Sequence, residues 1–167
     1  MKKKITIILV LILVIVLQSS NVIDRLKIGN IKPNLIMLFI IYISLTTNIL
    51  TSETTGFFVG FLEDILSQSL IGVNALTKTL LAFFLNHFKT RLFTEKIISV
   101  FFVVFLTTIV TKLFYFLLIL LFVNKVNFYH AILKIIIPEA FYNALFSIVV
   151  FPLFRLILER KRLWQKP

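Results

Sequence analysis

Glu63 and Asp64 stand side by side in TGFFVGFLEDILSQSLIGVNAL, the stretch from Thr55 to Leu76, and paired carboxylates are a common means of acid and base catalysis. On a helix, however, neighbours point about 100° apart, so the two do not converge on one reacting atom. His87 and His130 are single and far apart, and no HExxH or comparable metal-ligand spacing occurs. Both fit interfacial residues better than ligands. There is no Gly-rich phosphate loop and no G-x-S-x-G turn. The absence of cysteine removes disulfides and thiolate metal sites together. These residue types give no catalytic residue, metal site or cofactor to assign and argue against an enzyme. What remains is a set of charges inside apolar sequence, Asp64, Lys78, Lys112 and Glu139, and an ionisable group at membrane depth is a functional-site hypothesis by default.

The elements that must position these charges are membrane spans. With 167 residues, 59% of them hydrophobic, and a mean hydropathy of +1.03, the chain has too much apolar surface for a soluble domain of its length. The expectation is an all-α integral membrane protein, a single transmembrane domain over 1–167 with six transmembrane helices at about 5–22, 34–50, 55–71, 74–88, 97–123 and 135–158. The formal charge of +11 does not point to nucleic acid, because the basic residues flank apolar runs, where they determine topology.

The first run follows three lysines and is ~27 Å long as a helix, enough to span. A cleaved signal peptide is the rival, but there is no A-x-A site and further spans follow. Pro33 suits the first turn of the second helix, where its missing N–H is harmless. Along that helix Ser44, Thr47, Asn48 and Thr51 form a polar stripe at helical spacing. It is either an interhelical face or a row of hydroxyls bonded back to their own backbone.

The third helix cannot insert easily by itself. Glu63 and Asp64 each oppose burial at a helix centre by roughly 2.5 to 3.5 kcal/mol, while each large apolar neighbour returns only roughly 0.3 to 0.6. It therefore needs partners for its polar groups. Gly56 and Gly60 form a small-xxx-small pair that admits another backbone, and Asp64 and Ser67 continue the same face. After a turn at Gly72, Asn74 is the expected N-cap of the fourth helix. Folded as a hairpin, Asp64 and Lys78 lie at depths differing by ~3 Å. Either they pair, or Lys78 reaches for the headgroups and Asp64 is protonated or bonded to a hydroxyl.

In the fifth helix Thr108, Thr111, Lys112 and Tyr115 again share a stripe. In the sixth, Pro138 falls in the first turn and Pro152 is an expected kink. Glu139, Asn143 and Ser147, beside Ala140 and Ala144, make a polar and small-residue face able to meet Lys112. The tail is basic and carries Trp164 as an interfacial anchor. Six spans place eleven basic residues on the side of the termini against five opposite, so both termini are expected in the cytoplasm.

The residues also carry a resemblance. KPN at Lys32 to Asn34, TGFFVGFLEDIL from Thr55 to Leu66 and SLIGVNAL from Ser69 to Leu76 resemble the bacterial rod shape-determining protein family MreD. The matching positions are Pro33, Asn34, Gly56, Gly60, Asp64, Gly72, Asn74 and Ala75; Ile71, where Leu is common, and Glu63 are departures that leave the pattern intact. The resemblance implies a non-enzymatic subunit of the cell-wall elongation machinery in the bacterial cytoplasmic (inner) membrane. Its implied partners are MreC, the MreB filament, RodA and a class B penicillin-binding protein, with the lipid bilayer around it. It also implies a bundle similar to the six-helix substrate-binding subunits of energy-coupling-factor vitamin transporters.

Two functional classes follow. In the first, the chain is a membrane scaffold whose third and fourth helices hold the bundle together and present a surface to MreC. In the second, it is a small-solute transporter subunit in which Asp64, Lys78, Lys112 and Glu139 line a polar cavity. Against the second, the first helix reads ILVLILVIV and lacks the small-residue face with which such subunits engage their energising module. A holin-like or stress membrane protein would give the hairpin no reason to carry Asp and Asn where it does.

Overall fold

The computed structural model describes residues 2–29, 31–67, 70–90, 97–122 and 132–158. Those residues are helical apart from turns and one isolated bridge between Ile28 and Ile31. The elements are α1 (Lys2–Ser19), α2 (Asn21–Arg25), α3 (Leu35–Thr46), α4 (Ile49–Leu66), α5 (Val73–Phe88), α6 (Ile97–Leu120), a π-helical turn (Ile132–Ile136) and α7 (Ile137–Leu158). Of the basic loop expected from His87 to Lys96, residues 91–96 lie outside the described residues, as do His130 and the tail with Trp164.

At the centre stands α3. A helix that is apolar all round belongs inside a bundle, and every residue from Leu35 to Ser44 is buried. Its neighbours are α1, α4, α5, α6 and α7. On one side Ile7, Val10 and Val14 of α1 join its core, while Ile5, Ile8, Leu9, Ile12, Leu13 and Val16 point outward. On another, Phe39 packs edge-on to Phe154 and Tyr42 to Phe151, each with ring centroids 5.5 Å apart. Two intimate helix pairs, α4 with α5 and α6 with α7, complete the bundle.

Several boundaries differ from the sequence expectation, each for a local reason. The second helix stops at Thr46 rather than near residue 50, because Thr47 is extended and Asn48 accepts the Thr51 N–H at 3.0 Å as the N-cap of α4. The supposed polar stripe is thereby divided between two helices. Ser44 and Thr47 bond back to the carbonyls of Ile40 and Ile43, while Asn48 and Thr51 belong to the start of α4. The first helix ends at Ser19, where the Ser20 hydroxyl turns back to Leu17 O, and the short α2 follows.

The last helix begins earlier than residue 135. Proline lacks an N–H and crowds the carbonyl four residues back; the chain before Pro138 widens into the π-helical turn, which carries the helix back to Ile132. Pro152 sits inside α7, exposed, and the helix continues past it to Leu158. The helix from Ile97 to Leu120 and the continuous one from Ile132 to Leu158 are each long and apolar enough to cross a membrane. Two shorter apolar helices, Ile5–Ser19 and Leu35–Thr46, accompany them.

Hydrogen bonds between helix ends tie the bundle together. Gln18, at the end of α1, accepts the Leu35 N–H at 2.8 Å and donates to Pro33 O at 3.3 Å. Asn86, near the end of α5, donates to Ser44 O at 3.0 Å and Thr47 O at 2.9 Å, and Lys89 adds a bond to Thr47 O at 2.7 Å. These last two side chains satisfy carbonyls that the end of α3 leaves without helical partners.

Candidate functional site

The α4–α5 hairpin is built on two glycines where no side chain fits. A Cβ on Gly56 would lie 2.7 Å from Lys78 O, and one on Gly60 would lie 2.6 Å from the Ala75 Cα and N. All of these are backbone atoms and cannot swing aside. The small-xxx-small pair thus lets α5 lie directly on α4, a close approach that the spacing alone suggested.

One helical turn beyond Gly60, Asp64 uses that closeness. Its Oδ2 accepts the backbone N–H groups of Gly72 at 2.9 Å and Ala75 at 3.2 Å, and its Oδ1 accepts that of Asn74 at 3.0 Å. An N-cap side chain normally accepts from the second and third residues of its own helix. Here the N-cap residue is Gly72, left-handed at φ 98° and without a side chain, so the carboxylate of the neighbouring helix caps α5 instead. A negative charge at a helix N-terminus is further favoured by the helix dipole. Asp64 is 1% exposed, and this set of donors is what makes its burial tolerable. Asn74 is therefore not the N-cap expected from the sequence; it lies inside the first turn of α5.

Lys78 is placed differently from the Asp64–Lys78 alternative. Its ion pair is with Glu63, and its Nζ also donates to Asn74 Oδ1 at 2.8 Å. The sequence left Glu63 without a role, and the available signal was its position: on the hairpin, residue 63 faces the next turn of α5 while residue 64 faces the cap. Lys112 of α6 pairs with Glu139 of α7 at 2.8 Å. Around that pair Ala140, Asn143, Ala144 and Ser147 are all buried against the bundle.

Pro33 and Asn34 tie these parts together. Pro33 is buried, and Asn34 caps α3 by accepting the Met37 N–H at 2.9 Å. The Asn34 N–H in turn donates to Asn143 Oδ1 at 2.8 Å, joining the start of α3 to α7. With Gln18 on the other side, the entrance to the central helix is held by α1 and α7 at once. Sequence reasoning missed Gln18, the first polar residue after Thr6 in an apolar run.

Between the two helix pairs lies a cavity of about 220 Å³. Glu63, Asn74 and Lys78 line one side, Thr111, Lys112 and Tyr115 of α6 the other, with Asn34 at the head of α3. Among the described residues α4 and α6 do not pack directly, so the space separates them. Asp64 is committed to the cap, and Glu139 stands behind Lys112. Of the charges singled out in the sequence, Lys78 and Lys112 reach the wall.

The family model for the rod shape-determining protein MreD matches residues 1–161. The chain belongs to the MreD family. That family is one of membrane proteins that determine rod shape, a structural rather than an enzymatic class. No curated protein and no solved structure matches the chain. Within MreD terms, the match takes in every residue of the hairpin, the cavity and the α3 entrance.

Proposed function

We propose that this MreD-family chain is a non-enzymatic scaffold subunit of the bacterial cell-wall elongation complex. It would sit in the cytoplasmic membrane, bind MreC directly and share the complex with MreB, RodA and a class B penicillin-binding protein. The observation that carries this reading is the α4–α5 hairpin: its glycines and its polar groups serve to fix one helix against another. Gly56 and Gly60 admit backbone, Asp64 caps, and Gln18, Asn34 and Asn86 lock helix ends. A rigid bundle is what a docking partner needs, and apolar side chains such as Phe57, Phe58, Phe61 and Phe84 cover the outside of the hairpin.

The topology proposed with it has six crossings and both termini cytoplasmic, in a bundle like those of energy-coupling-factor substrate-binding subunits. The antiparallel α4–α5 hairpin and the excess of basic residues on the side of the termini support it. A C-terminal tag reached only from outside intact cells would contradict it. The test of the scaffold reading is purification of the chain from membranes expressing MreC. A stoichiometric complex supports it, and failure to retain MreC under conditions that keep the chain folded overturns it. The solute-binding subunit remains the second reading because of the polar cavity; specific solute uptake dependent on the chain would favour it.

A further inference from the structure

The cavity between the helix pairs has a charge arrangement that the scaffold does not require. Two ion pairs flank it, Glu63 with Lys78 on the α4–α5 side and Lys112 with Glu139 on the α6–α7 side. Each pair has one covered and one accessible member. Lys78 is 7% exposed against 22% for Glu63, and Glu139 is 11% exposed against 29% for Lys112. All but Glu139 line the cavity, and the more accessible member is a carboxylate, Glu63, on one wall and an ammonium, Lys112, on the other. Each charge brought into such a bundle carries a desolvation penalty of several kcal/mol, which only an opposite charge at close range offsets. A ligand with both charges meets an opposite charge at each end, Glu63 on one wall and Lys112 on the other.

From this we infer that the cavity is a binding site for a small zwitterion, a primary ammonium and a singly charged carboxylate or phosphodiester joined by a short link. The ammonium is received by Glu63 and the anion by Lys112, with the Tyr115 hydroxyl and the Asn34 amide as neutral hydrogen-bonding groups on the wall. A volume of about 220 Å³ holds roughly seven waters, below the ~300 Å³ at which sites for drug-sized ligands begin. It suits an amino acid or a phospholipid head. The same chemistry is available from a free solute or from phosphatidylethanolamine, and the two sources are separable.

The test uses the purified full-length chain and its unfolding temperature. β-Alanine and glycerophosphoethanolamine are the soluble probes, ethylamine and acetate their separate halves. Nanodiscs with phosphatidylethanolamine are compared with nanodiscs of phosphatidylglycerol alone. A rise of several degrees is expected with a zwitterionic probe and not with either half at the same concentration. A response to the soluble probes assigns the site to a free solute; a response confined to phosphatidylethanolamine assigns it to a lipid head. The rise should be lost in Lys112→Met with Glu139→Gln and in Glu63→Gln with Lys78→Met, double variants that remove a pair without changing net charge. No response to any zwitterion, an equal response to either half, or double variants responding like the parent would each overturn the assignment. If the double variants fail to fold, the comparison of whole probes with halves still decides. The outcome is independent of whether MreC copurifies, so this site and the scaffold stand or fall separately.

Discussion

Replacing Gly60 with alanine adds one methyl group at the tightest point of the hairpin. The new Cβ would stand 2.6 Å from both the Cα and the N of Ala75, and it would also meet Asn74 O. Carbon atoms in good contact are separated by about 3.5 to 4.0 Å, so α5 must move away by roughly 1 Å. Overpacking costs about 1 to 3 kcal/mol in general. The upper end applies here, because the obstructing atoms are backbone and the displacement pulls the N-terminus of α5 from Asp64, whose bonds already measure 2.9 to 3.2 Å. A loss of about 3 kcal/mol corresponds to a fall in unfolding temperature of roughly 6 to 12 °C for a chain of this size. The assay is thermal unfolding of the purified protein in one detergent, with Thr54→Ala, exposed on the same helix, as the control. If Gly60→Ala unfolds within a degree or two of the control, the backbone contact does not hold the hairpin.

Asp64→Ala strands three N–H groups and should lose roughly 3 kcal/mol or more. That is read as amide hydrogen exchange at Gly72, Asn74 and Ala75 at least ~100-fold faster, and unchanged exchange there would reject the cap. For Lys112 and Glu139, each single neutral variant leaves a partner's charge unmatched. Roughly 2 kcal/mol is expected, less than for a fully buried pair because Lys112 is 29% exposed. The double variant should lose less than the two singles together, and plain additivity in thermal unfolding would exclude the coupling. Asn86→Ala removes the donor shared by Ser44 O and Thr47 O and should cost about 2 kcal/mol. Stability equal to the parent's would show that the end of α3 does not depend on it.

How much of this was legible in the sequence varied with the physics involved. The positions of Gly56, Gly60 and Asp64 on one face followed from helical periodicity, because a four-residue step fixes a face regardless of what packs there. What that face touches did not follow, since Asp64 could be matched by a charge, a hydroxyl or a helix end. Backbone N–H groups are invisible in residue types, and so the cap on α5 was read as Asn74. The Lys112 and Glu139 faces were set out by their stripes, but the partner of Lys78 turned on a one-residue rotation that separates Glu63 from Asp64. Boundaries slipped where a polar residue could serve either of two helices: Asn48 extends the stripe of α3 on paper and caps α4 in the structure. The π-helical turn depends on how the chain relieves Pro138, which composition does not encode.

On the proposed function, the glycine-lined, Asp64-capped hairpin is the rigid part through which this MreD-family subunit does its work. The most direct test is copurification of MreC from membranes containing the parent chain or Gly60→Leu, matched for the amount inserted, in cells scored for shape. MreC is expected to be held by the parent and lost from Gly60→Leu, with cells that round up. MreC retained by Gly60→Leu in cells that stay rods would contradict it.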